Sequence, residues 1–195
     1  EEILAQIFDS SGSKVGSEFV VNTYRVEDQD VPYVFSLIDG GFVVTWDSFE
    51  QDGSSWGVYA QMFSSSGTKI GSEFLVNTTT LNEEALSVGV SLKTGNFVVT
   101  WSSYVEATDE HEVYAQLFSI AGQKIGKEVL VNTFTRDWQY YSEITPLNDG
   151  GFTIAWESYG QDGSNYGIYG QIFDAFGNKI GTEFQINQTT DASQD

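Results

Sequence analysis

The chain has 195 residues and a formal net charge of −20, from 28 Asp and Glu against 8 Lys and Arg, and 15% of it is aromatic. That balance excludes a nucleic-acid binder, which needs Lys and Arg to neutralise phosphate. Cysteine is absent, which excludes disulfides and thiolate metal sites, and no apolar run approaches the roughly 20 residues of a membrane-spanning helix.

The chain opens on Ile3–Phe8, where large apolar and smaller or polar residues alternate with the period of a strand. A turn with Gly12 follows, then a second strand over Ser17–Val21 that ends in Asn22. A polar loop of about ten residues leads to a third strand near Pro32–Leu37, and Asp39-Gly40 supplies hairpin chemistry. The fourth strand, Phe42–Trp46, is apolar at nearly every position, as in a strand covered on both faces.

This series then returns with an unbroken period of 55 residues. Trp46 recurs as Trp101 and Trp156, Gln6 as Gln61, Gln116 and Gln171, and Asn22 as Asn77, Asn132 and Asn187. A fixed period without insertion or deletion marks one supersecondary unit used repeatedly. The expected fold is all-β: tandem four-stranded antiparallel repeats resembling propeller blades, about three and a half of them, with a row of small β-sandwich units as the alternative. One array spans 1–195, divided as 3–57, 58–112, 113–167 and a partial fourth repeat at 168–195. No segment has sustained helical periodicity. Residue 1 falls inside a repeat, so a processed or truncated start is expected. The half repeat at the other end, and a first strand at Ile3–Phe8 with no fourth strand before it, create the expectation of open strand edges, completed by further repeats of the same chain or by copies of itself in a filament or array.

The block Gly41-Phe42-Val43-Val44-Thr45-Trp46-Asp47-Ser48, with Gln51-Asp52-Gly53-Ser54, Gly57–Gln61 and Gly71–Thr78, resembles a tandem repeat of very large secreted and surface proteins in ciliated protists and bacteria. The bacterial ones often lie beside cadherin-like and haemolysin-type calcium-binding modules. The resemblance covers the whole chain. It implies an extracellular or cell-surface location and a non-enzymatic role in a scaffold, fibre or adhesin. Few Lys and many Thr, Ser, Asn and Gly agree with an extracellular setting. The second repeat departs from the pattern, with Ala107 where Asp52 and Asp162 stand and Glu112 in place of Gly57 and Gly167. The kelch repeat also has a Gly-Gly and a Trp, at other spacings.

A four-stranded meander sends its short turns to one end and its long loops to the other, and the long-loop end collects most of the acids. Carboxylates with backbone and Asn carbonyls are calcium's ligands, so Asp52 and Asp162 are candidate calcium ligands, helped by Asp47 and Glu157. The bland alternative is a solvated acidic face, and no D-x-D-x-D-G loop is present. Trp56, Tyr166 and Trp138 lie at the same end and are candidates for stacking on sugars, the reading of a carbohydrate-binding propeller lectin. Asn77 and Asn187 begin Asn-x-Thr triplets, the acceptors of N-glycosylation.

Catalytic residues are not evident. His111 is the single histidine, and no Ser has His and Asp partners in a triad pattern. The stretch Ser48…Trp56 does not meet the sialidase Asp-box pattern. A carboxylate pair in a deep pocket is the feature that would revive a glycosidase. The sequence therefore leads to the expectation of no enzymatic activity.

Overall fold

A computed structural model describes residues 1–189; the tail 190–195, read above as the loop before a third strand, lies outside the described residues. The described residues form strands and turns with no helix. A two-stranded sheet pairs β1 (Leu4–Phe8) with β2 (Lys14–Val20). Three four-stranded antiparallel sheets follow. The first is β3 (Gln29–Ser36), β4 (Phe42–Phe49), β5 (Trp56–Phe63) and β6 (Lys69–Leu75). The second is β7 (Glu83–Ser91), β8 (Phe97–Val105), β9 (Glu110–Phe118) and β10 (Lys124–Leu130). The third is β11 (Gln139–Pro146), β12 (Phe152–Tyr159), β13 (Tyr166–Phe173) and β14 (Lys179–Gln185).

The sheets cut across the sequence repeat. Each takes the third and fourth strands of one repeat and the first and second of the next. The partial repeat at the C-terminal side, expected to lack partners, supplies β13 and β14 and completes the third sheet. The β1–β2 pair, whose first strand was expected to lack a neighbour, is a sheet of two strands.

The first strands of the three sheets line the axis, β7 lying against both β3 and β11, and the sheets stack face to face around them as blades. The seam between the first and second blades contains Phe35, Val43, Val58 and Met62 with Phe97, Val99, Trp101 and Phe118. The next seam contains Val98, Val113 and Leu117 with Phe152, Ile154, Trp156 and Phe173. Ile3 and Val21 of the two-stranded unit meet Val44, Trp46 and Phe63. Each tryptophan thus enters the seam with the preceding unit. Its N–H is paired there with a side chain 17 positions earlier. Trp46 Nε1 donates to Gln29 Oε1 (2.9 Å), Trp101 Nε1 to Glu84 Oε2 (2.6 Å) and Trp156 Nε1 to Gln139 Oε1 (3.2 Å).

Two other repeated polar residues prove to be backbone clamps, buried except at Gln6 and Asn187. Gln61 Nε2 donates to Met62 O and Ile70 O at the register shift between β5 and β6, and Gln6, Gln116 and Gln171 do the same at theirs. Asn22 Oδ1 accepts from Ile3 N, and Asn77, Asn132 and Asn187 accept from Val58, Val113 and Ile168 N. Between units, a carboxylate on the outermost strand latches the preceding loop. Glu73 accepts from the backbone of Thr23 and Tyr24, Glu128 from Thr78 and Thr79, and Glu183 from Thr133.

The second strand of each unit starts earlier than the sequence suggests, at Lys14 rather than Ser17. The Gly that looks like a strand breaker sits inside the strand at positive φ, as at Gly16 (φ 69°) and Gly71 (φ 69°), where the bulge needs a residue without Cβ.

Because Trp101 fills a seam and satisfies Glu84, Trp101→Ala should destabilise the chain by about 3–5 kcal/mol in equilibrium urea unfolding.

Candidate functional site

The strands β4–β5, β8–β9 and β12–β13 end opposite one another on a pair of rings. These are Phe49 and Trp56 (centroids 5.2 Å apart), Tyr104 and His111 (4.9 Å), and Tyr159 and Tyr166 (5.0 Å). All three pairs sit at the long-loop end. Between the second and third blades the second and third pairs are joined into one array. Trp138 lies 5.9 Å from His111 and 6.4 Å from both Tyr140 and Tyr159. Tyr140 in turn touches Tyr166 (5.6 Å) and Tyr141 (4.5 Å). A backbone bridge between His111 and Trp138 fixes the loop, and the indole Nε1 donates to Asp109 O (3.3 Å).

Two of these rings are open to solvent: Trp138 is 42% exposed and Tyr141 56% exposed. Trp138 and Tyr159 wall a depression of about 440 Å³ whose other sides are Thr108, Asp109, Glu110 and Asp137. Burial holds the His111 pKa below its usual value, with Asp109 and Glu83 pulling the other way. Burial, then the hydrogen bond with Tyr166, pushes the Tyr140 hydroxyl up, so it keeps its proton. The depression therefore offers flat apolar faces bordered by anionic acceptors. That combination suits a polyhydroxylated ring, which stacks through its C–H face and donates hydroxyls at its rim.

The structure brings two of the three aromatic candidates together: Trp138 and Tyr166 share the array. Trp56 does not join it and packs on Phe49 in the first blade. Tyr140, Tyr159 and His111, which sequence reasoning passed over, do. The signal was there: His111 occupies the position of Trp56 and Tyr166 one repeat away.

The four proposed calcium ligands do not converge. Asp52 Oδ1 accepts from Ser54 N and Asp162 Oδ1 from Ser164 N, each capping its own turn, in the first and third blades. Asp162 Oδ2 also accepts from Gln185 Nε2 (3.2 Å). Asp47 is 2% exposed in a seam and accepts from Leu86 N (3.0 Å). Glu157 is on β12, across from Tyr140. Among the described residues no three metal-ligating side chains gather. Of the glycosylation candidates, Asn77 is wholly enclosed, its Oδ1 accepting from Val58 N and its Nδ2 donating to Thr79 O (2.7 Å), so its amide is not open to modification in the folded chain. Asn187 is half-buried in the same clamp.

Two carboxyls are strongly perturbed. Burial pushes Asp47 up to about 7, opposed by the Leu86 N–H and reinforced by Asp30. Burial pushes Glu84 up to about 8, opposed by the Trp101 and Ser103 hydrogen bonds. Neither can reach solvent, so both are structural. The exposed carboxylates on the axis strands are Asp30 on β3, Glu83 on β7 and Glu143 on β11. Beside them each strand bulges at a residue with positive φ: Val31 (48°), Leu86 (60°) and Tyr141 (51°). Such conformations cost of order 1–3 kcal/mol in a residue other than Gly. At Leu86 the bulge aims the N–H at Asp47 across the seam.

No family model and no curated protein matches the chain. Solved structures share the fold. A thermostable family-43 glycoside hydrolase matches 90% of this chain at 13% identity with a TM-score of 0.58. An α-L-arabinofuranosidase of Fusarium graminearum matches 87% of it, at 13% identity and a TM-score of 0.58 with an iminosugar inhibitor, and at 14% and 0.55 with arabinobiose. The chain spans 58% of the first protein and 55% of the second. These neighbours are five-bladed propellers, and the architecture expected from the repeat is the one observed. They also overturn the expectation of a non-enzymatic scaffold, fibre or adhesin module. The fold at these scores is carried by glycoside hydrolases, and at 13–14% identity the likeness is one of fold.

The buried carboxyls make a pH-dependent prediction. Their folded pKa values lie above those of the unfolded chain, so the native state retains protons that the unfolded chain releases above about pH 4. Stability from these groups is full below that pH and drains as the pH climbs through 7 and 8. Glu84→Gln, which installs the residue present at Gln29 and Gln139, should flatten the decline and raise stability at pH 8 by on the order of 2 kcal/mol. Denaturant midpoints of both proteins between pH 5 and pH 8 check this.

Proposed function

We propose that the chain forms the larger part of a carbohydrate-active propeller that binds a polysaccharide on the Trp138 ledge and hydrolyses its glycosidic bonds. The observation that carries this is the open aromatic array, with Trp138 and Tyr159 facing a depression rimmed by Asp109, Glu110 and Asp137. A buried core needs no such exposure, and a merely acidic surface needs no such rings. The fold it shares with an arabinofuranosidase solved with arabinobiose supports the same chemistry. Hydrolysis calls for two carboxyls flanking the scissile bond, one donating a proton to the leaving oxygen and the other acting as base or nucleophile. Asp30 and Glu143 are the candidates, because they stand exposed on axis strands beside the bulges at Val31 and Tyr141, whereas Glu83 at the start of β7 accepts from Ser55 Oγ (3.1 Å). The buried Asp47 and Glu84 are excluded by their enclosure.

Titration with arabino-oligosaccharides should give saturable quenching of tryptophan fluorescence, and Trp138→Ala should weaken binding at least tenfold without lowering the melting temperature. Reducing ends should accumulate with the parent chain and not with Asp30→Asn or Glu143→Gln. Indifference of the fluorescence to arabinan, xylan and galactan fragments alike would remove the reading.

A further inference from the structure

The internal repeat supplies three controls for the two-stranded β1–β2 sheet. In each complete blade the strand equivalent to β1 is paired on its axis side. Phe63 is paired with Phe42, Phe118 with Phe97 and Phe173 with Phe152, the rings stacked at 4.9–5.1 Å. Phe63, Phe118 and Phe173 are at most 1% exposed, whereas Phe8, at the same place on β1, is 55% exposed. Leu4 is 52% exposed where Tyr59 and Tyr169 are 7% exposed and lie across from Trp46 and Trp156. Beside β1 runs an apolar groove of about 410 Å³, walled by Ile3, Ala5 and Phe19 on one side and Tyr33, Val34 and Phe42 on the other.

We propose that this groove is the docking site of one β-hairpin of the repeat's own sequence, of the kind formed by β7 and β8. The hairpin would extend the β1–β2 sheet to four strands and continue the seam already built by Ile3, Val21, Val44 and Trp46. The register follows from the three complete blades: the hairpin's Phe97 position lies opposite Phe8 and its Trp101 position opposite Leu4.

The wall of the groove selects among hairpins. In the first seam Phe35 lies over Gly89, where a Cβ would come within 2.4 Å of the ring. The residue equivalent to Gly89 on the groove wall is Val34. A hairpin with Phe at that position, like β3–β4, would collide with it. The β7–β8 hairpin carries Val90 there, and Val90 packs in the second seam in which Ile144, the third blade's equivalent of Gly89, also sits. The occupant is therefore a hairpin with a residue no larger than Val facing Val34.

The test uses the 195-residue chain and two synthetic peptides, 83–105 and 29–49. Peptide 83–105 should bind one to one, slow hydrogen exchange at the β1 amides and raise the melting temperature. Peptide 29–49 should bind at least tenfold more weakly. Phe8→Glu and Leu4→Glu, both at exposed positions, should each weaken binding of peptide 83–105 at least tenfold while the free chains melt as the parent does. The proposal is overturned if peptide 83–105 leaves the β1 amides unprotected, if it binds both variants as tightly as the parent, if the two peptides bind equally, or if the β1 amides are already protected in the free chain by pairing between two copies.

Discussion

An indole that enters a seam between sheets takes a hydrogen-bond donor with it, and a buried donor left unpaired costs about 1–3 kcal/mol. The chain meets that demand three times with the same device: an acceptor 17 residues earlier, at the start of the sheet's first strand. The pairing ties that strand to the one beside it. It also fixes how deep the ring sits and hence how closely two blades approach. The bulge two residues on from the acceptor, with its left-handed backbone, follows from the same requirement. The strand must hold Gln29, Glu84 or Gln139 inward and then reverse its facing before it reaches the axis.

Much of the fold was legible because the repeat is exact. Trp46, Gln61 and Asn77 were visible as periodic polar or aromatic positions, and the apolar fourth strand implied cover on both faces. The blade boundary was not legible. A repeat read from its first strand and one read from its third fit the same periodicity, and hydrogen bonds between strands are non-local. The clamping role of Asn77 was also hidden, because an Asn-x-Thr triplet reads identically whether its amide is in solvent or bonded to Val58. The ledge was partly legible. Trp138 and Tyr166 stood out as loop aromatics, but the array depends on two blades meeting, which no single repeat encodes.

The large negative charge divides into distinct uses once the contacts are known. Glu73, Glu128 and Glu183 latch one unit to the loop of the one before, each carboxylate accepting from backbone N–H groups. Asp9 and Asp174 close turns, where hydrogen bonds from nearby residues hold their pKa values low. Asp47 and Glu84 are enclosed in seams. The acids that border the ledge are Asp109, which accepts from the Tyr104 hydroxyl (3.0 Å), Glu110 and Asp137. The acidity of the long-loop end is thus in part architectural, which explains why its calcium reading found no convergent set.

The half-repeat offset between sequence and blade has a consequence for how such a protein changes length. Unequal recombination between two copies of the 55-residue unit, at any point along it, adds or removes one whole sheet and leaves every other sheet with its four kinds of strand. Copy number can drift without any intermediate that contains a broken blade. The seams are less forgiving than the sheets. Phe35 tolerates only a neighbour like Gly89, so a unit carrying that Phe must be inherited together with the unit that follows it, and the array acquires an order its periodicity does not reveal.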